Sequence, residues 1–173
     1  TNVAAVGGVY QLGAAADLDL FSTVVNEGKG ELNAVLTANI DMKDVAMNPI
    51  GSSDKPYTGS FNGQGFTIAN YTYENSDAGN VGLFGYISGA TIQKVMLKGA
   101  HINGNANAAG LVGNAQNASV IKNCAVVDSY VEGRDHVAAI AGNAVGGTVI
   151  SNNYSNAEIV SRQYQAGGMV GTI

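Results

Sequence analysis

Gly82-Leu83-Phe84-Gly85, Gly110-Leu111-Val112-Gly113, Ala139-Ile140-Ala141-Gly142 and Gly168-Met169-Val170-Gly171 are variants of one phrase, and their starts lie 28, 29 and 29 residues apart. Two further series keep that step: Ile92, Ile121 and Ile150, then Ile102, Val131 and Val160. Three apolar anchors per unit, separated by Gly- and Asn-rich breaks, describe a stack of similar units. Leucine-rich and helical repeats do not fit, because there is no leucine ladder and no long stretch of 3.6-residue periodicity. The units instead predict a coil of three short strands. Stacked coils place equivalent strands about 4.8 Å apart in parallel ladders and pile their inward residues into columns. The expected fold is all-β, a parallel β-helix that is right-handed by analogy with the crossover rule. Its columns would be Leu83/Leu111/Ile140/Met169, Ile92/Ile121/Ile150 and Ile102/Val131/Val160. Asn114 and Asn143, 29 apart, are candidates for a side-chain ladder across coils.

Working outward, residues 81–173 hold the repeats, 31–80 read as irregular early coils, and 1–30 as an N-terminal strand with a helical cap. In the early part, Leu32 to Met42 reads as a strand pair and Phe61 to Ile68 as a turn followed by a strand. Between Ala14 and Asn26, Leu18, Phe21 and Val25 fall on one helical face, and Gly28 is placed to end the helix. A helix there would cover the apolar end of the stack and an open strand edge. At the other end, Thr172-Ile173 follow the fourth phrase with nothing to blunt the edge. Two arrangements are expected: the native chain continues beyond Ile173 as part of a longer protein, or a second chain docks on the last coil by strand addition.

Composition agrees with this reading. The chain has 19 Val and 11 Ile against 8 Leu, and β-branched side chains suit a pleated surface. Its 24 glycines in 173 residues show no Gly-X-Y period, which excludes collagen. A net charge of -5 without a Lys/Arg cluster argues against nucleic acid as a partner. No apolar run approaches the roughly 18 residues that span a bilayer, so membrane insertion is not expected, and Thr1 is not followed by a secretory leader pattern.

At these residues the chain resembles bacterial surface proteins carrying the GLUG motif, a glycine-hydrophobic repeat also found beside the catalytic region of immunoglobulin A metallopeptidases. The accompanying elements of that family are matched by the helix at Ala15 to Asn26, then Asn39-Ile40-Asp41, Pro49-Ile50-Gly51 and Phe61-Asn62-Gly63-Gln64-Gly65. Met47 stands where a Trp is common, and Ala139 replaces the first glycine of the third phrase. The resemblance implies a secreted or surface-anchored β-helix used as a stalk, adhesin or spacer, and it implies no catalytic residues. His101 and His136 are isolated in sequence and form no His-Glu-x-x-His segment.

A glycan-cleaving β-helix would need clustered carboxylates on one face. Asp128, Glu132, Arg134, Asp135 and His136 come nearest, and they read as a solvated loop with local ion pairs. No acid recurs one step away, since the equivalents of Glu132 count to Asn103 and Ser161. Asn39, Asp41 and Asp44 could offer oxygens to calcium, but a polar turn at a strand end explains them better. Cys124, the sole cysteine, reads as a small core residue. Tyr130 maps to Ile159 and Tyr154 to Ala125, so no aromatic ladder is expected. Tyr57, Tyr71, Tyr73 and Tyr86 could line one face of the early coils, but ordinary half-buried tyrosines explain them better. Thr91, Ser119 and Thr148 align as a single row without the second row of an ice-binding face. The sequons at Asn70, Asn117 and Asn153 read as chance in an Asn-rich chain. The expectation is a non-catalytic extracellular or cell-surface module with no catalytic, cofactor or metal residue. Its partner would be a host or neighbouring-cell surface protein or glycan. The alternatives are a glycan-binding or glycan-cleaving β-helix and a self-assembling subunit.

Overall fold

The computed structural model describes residues 5–173, so the Thr1 start lies outside the described residues. It is a parallel β-solenoid of about five turns with one helix. The two central repeat coils carry five short strands each, not three. One coil runs Thr91–Gln93, Met96–Lys98, His101–Asn103, Ala106–Ala109 and Val112–Gln116. The next runs Val120–Lys122, Ala125–Val127, Tyr130–Gly133, Asp135–Ala138 and Ala141–Ala144. The strands beyond the expected three leave little local mark, because Ala106–Ala109 lacks β-branched residues and because Lys94 and His136, which turn corners, are not turn formers.

Those corners are built from single residues in the left-handed region. Gly65, Lys94, Asn123 and Asn152, at φ of 81, 54, 56 and 55°, turn successive coils at one corner. Asn70, Gly99 and Asp128 turn the next, and Asn80, Asn107 and His136 a third. The second glycine of the repeated phrase faces this third corner. A Cβ on Gly113 would lie 2.8 Å from Asn107 O, and one on Gly142 would lie 2.6 Å from His136 O. Both are closer than real contacts allow, so the phrase keeps this glycine in all four copies. Its first position tolerates Ala139.

Inward residues stack as the repeat predicts. Ala34, Phe61, Ile92, Ile121 and Ile150 form one continuous column, and Leu83, Leu111 and Ile140 are fully buried in another. One expected column is wrong: Val131 pairs with Ile159, not Val160. The last coil is one residue shorter at the corner after Ser155, and it regains that residue before Ala166, which pairs with Val137. The asparagine ladder is present, with Asn143 Nδ2 donating to Asn114 Oδ1 at 3.3 Å.

The helix, Ala15–Asn26, closes the N-terminal end. Asp17 Oδ2 accepts the N–H groups of Gly13 and Ala14 at 2.9 and 3.0 Å, satisfying donors that the helix start leaves free. Leu18, Phe21 and Val25 are buried. The Phe21 ring lies 5.9 Å from both Tyr57 and Phe61, and these in turn meet Phe84. Asn26 ties the helix end to the Pro49-Ile50-Gly51 element: its Nδ2 donates to Pro49 O and its Oδ1 accepts Gly51 N–H.

Candidate functional site

The third side of the solenoid is a sheet of Thr72–Glu74, His101–Asn103, Tyr130–Gly133 and Glu158–Ser161. Alternation along each strand turns Tyr73, Ile102, Val131 and Ile159 toward the core. It leaves two outward rows, Thr72/His101/Tyr130/Glu158 and Glu74/Asn103/Glu132/Val160. The register corrects two sequence equivalences: Tyr130 is followed by Glu158, not Ile159, and Glu132 by Val160, not Ser161. Neither histidine is isolated in space. His101 Nε2 lies 2.6 Å from Glu74 Oε1, and its ring stacks on Tyr130 at 4.9 Å. The Tyr130 hydroxyl donates to Glu132 Oε2 at 3.3 Å, and Asn103 Nδ2 donates to Glu74 Oε2 at 3.2 Å. Loss of solvent first, and the carboxylates of Glu132, Glu158 and Glu74 next, hold the Tyr130 hydroxyl above the usual tyrosine range.

The predicted charged loop is therefore not one cluster. Asp128 sits at a corner, where its N–H donates to Asn156 Oδ1. Glu132 belongs to the outer sheet face, 3.5 Å from Arg162. Asp135 is buried, with one carboxylate oxygen 3.0 Å from Arg134 Nε and the other 2.6 Å from His136 Nδ1. Glu74, His101 and Arg162 were missed as members of this face. The signal existed for Glu74, which stands two 29-residue steps before Glu132 with Asn103 between them.

The other candidates hold the scaffold together. Asn39 Oδ1 accepts Thr67 N–H at 2.9 Å, and Asp41 Oδ1 accepts Asn70 Nδ2 at 2.8 Å and Lys43 N–H at 3.0 Å. These bonds, Asn70 foremost, hold the Asp41 carboxyl below its ordinary range. Asp44 lies apart at a left-handed turn of φ 61°. Cys124 is buried, and desolvation pushes its thiol up to about 11. Ser119 does not stack on Thr91, which pairs with Val120; it is buried, and its Oγ accepts Ala90 N–H. Tyr57 and Tyr71 are fully buried, not half-buried, with their hydroxyls donating to Leu32 O and Met47 O. Of the sequon asparagines, Asn117 bonds Ser88 Oγ and Asn153 bonds Cys124 N–H across coils. Between the helix, the 46–48 segment and Thr72–Glu74 runs a groove of about 510 Å³ whose acids are Asp19, Glu27 and Glu74.

No family model matches the chain. It is 32% identical over 122 residues to Halomucin of Haloquadratum walsbyi, a match covering 64% of this chain and 1% of that protein. Among solved structures it is similar to a Bacteroides ovatus chain provisionally described as an immunoglobulin A1 protease. The TM-score is 0.67 at 21% identity, covering 95% of this chain and 61% of the other. The chain thus spans under two thirds of that structure and a small fraction of Halomucin, and the structural likeness establishes the fold. No helix among the described residues is long and apolar enough to cross a membrane.

Proposed function

We propose that this chain is a non-catalytic structural or adhesive module of an extracellular or cell-surface protein. One observation carries the reading: the carboxylates of Glu74 and Glu132 on the outer sheet face are engaged by neighbouring side chains of the scaffold. Glu74 is held by His101 and Asn103, and Glu132 by Tyr130 and Arg162. A general acid or base must be within reach of a substrate proton, and carboxylates engaged in this way act as rungs of the scaffold. Cys124 is buried with a raised thiol, unlike the exposed, acidified thiols that serve as nucleophiles. Similarity to Halomucin and to a protein described as a protease supports a location outside the cell. Partners would meet the outer faces as surface protein or glycan. Strand addition would use the edge formed by Val149–Ser151, Tyr154–Ser155, Glu158–Ser161 and Val170–Thr172, the last rung of its sheets.

A second reading has one point in its favour. Glu74 and Glu132 lie two rungs apart, about 9.6 Å by sheet spacing, near the separation used by inverting glycosidases. Incubating the purified chain with a polysaccharide panel and with immunoglobulin A1 separates the readings. The expected result is no turnover, with Glu132→Gln altering thermal stability alone. Hydrolysis that Glu132→Gln abolishes would sink the non-catalytic reading.

A further inference from the structure

The chain contains two arginines, Arg134 and Arg162, and the coil step of 28 residues brings them to the same corner. They line a recess of about 390 Å³ with Ser76, Asn105 and Gln163. Ser76, Asn105 and Arg134 are spaced 29 residues apart along the corner, and the shortened last coil sets Arg162, with Gln163 beside it, on the rung after Arg134.

The recess differs from the rest of this acidic molecule. Both arginines line it and no acid does, although Asp135 lies 3.0 Å from Arg134 and Glu132 3.5 Å from Arg162 behind them. Asp135 is buried behind Arg134 and fixes that guanidinium through Nε alone, leaving both terminal nitrogens without a hydrogen bond among the described residues. Arg162 is fixed too: Nη1 donates to Asn103 Oδ1 and Nη2 to Gly104 O, at 2.9 and 2.7 Å. An oriented guanidinium with its Nη1/Nη2 edge free matches a carboxylate or sulfate in a two-point bond. The remaining lining groups, a hydroxyl and two amides, each donate and accept, as pairing with sugar hydroxyls requires. The volume falls within the range of small-ligand clefts.

We infer that the Ser76/Asn105/Arg134/Gln163 corner binds an anionic saccharide, with the Arg134 guanidinium on the sugar's carboxylate or sulfate and the flanking amides on its hydroxyls. The inference rests on the adhesive reading above and gives that reading a partner class. The free terminal nitrogens of Arg134 set the charge specificity, and the net charge of -5 disfavours nucleic acid at the same place.

The test is calorimetric titration of the full chain with four probes: polygalacturonate oligosaccharides, heparin oligosaccharides, neutral dextran oligosaccharides and polyglutamate. The first or second binds, which distinguishes carboxylate from sulfate; binding weakens with added salt; dextran and polyglutamate do not bind. Gln163→Glu adds a carboxylate at an exposed lining position and lowers affinity about tenfold with an unchanged melting temperature. Arg134→Lys keeps the charge beside Asp135 but loses the fork, and also weakens binding; Lys55→Gln, away from the corner, leaves it unchanged. Equal binding of dextran or polyglutamate, indifference to Gln163→Glu, or no binding of any probe would overturn the inference while leaving the structural module intact. Saccharide turnover abolished by Glu132→Gln would instead overturn the non-catalytic reading.

Discussion

At the residue scale, the corners set the sharpest expectations. Gly142 meets backbone on the site where a Cβ would sit, 2.6 Å from His136 O, so Gly142→Ala must push a corner apart. Overpacking against backbone predicts a loss of roughly 1–3 kcal/mol. Ala118 presents the opposite case. It is exposed at φ 60°, where the next coil carries Gly147 at φ 80°. A left-handed alanine costs roughly 1–2 kcal/mol, and the greater unfolded-state freedom of glycine offsets about half of that. Ala118→Gly is therefore expected to stabilise by up to about 1 kcal/mol. Urea unfolding of both variants checks the pair, and a destabilised Ala118→Gly would contradict the corner geometry. Asp41 gives a pH expectation. Its carboxyl titrates below the ordinary 3.8, so its contribution to stability is complete above that value and disappears as pH falls through the depressed one. Asn70→Gly removes the main donor yet keeps the left-handed corner, as Gly99 does one coil later. NMR titration should then find Asp41 moved back up toward 3.8; an unmoved value would remove Asn70 as the cause.

At the scale of elements, the helix matters more for what it covers than for its own propensity. Phe21 fills the end of the stack against Tyr57 and Phe61, so Phe21→Ala is expected to cost about 3–5 kcal/mol. Chemical denaturation measures it, and a cost below about 1 kcal/mol would mean that the helix is not a seal. The same scale shows what could be read in advance. The helix bounds and the Ile92/Ile121/Ile150 column were legible because apolar spacing within an element is a local signal. The number of strands per coil was not, since a corner made by one left-handed residue leaves no mark when that residue is Lys94 or His136. The outer face was half legible. Glu132 and Asp135 drew notice as neighbours in sequence, but Glu74 and His101 reach Glu132 and Tyr130 through register, which depends on coil lengths that no single residue declares. Asp135 read as solvated because its two partners, Arg134 and His136, are ordinary surface residues until the corner folds them over it.

At the scale of the molecule, a stack of near-identical coils gains stability from each interface with its neighbours, so protection should follow position in the stack. Ile121 and Val131 are fully buried, whereas their counterparts Ile150 and Ile159 in the last described coil are half-exposed. Hydrogen exchange is expected to be fastest in strands 149–172 and slowest in strands 91–127. Uniform protection along the chain would show that the coils open only together.

The shortened last coil shows how this architecture absorbs changes in chain length. Omitting one residue after Ser155 and restoring it before Ala166 leaves Val137 and its rung in place, so a length error is confined to two corners. Insertions and deletions at these corners are then nearly neutral for the core, while each shifts the outward side chains of one strand relative to the coil below. Such a solenoid can vary its surface by editing length as readily as by substitution, with its interior left unaltered.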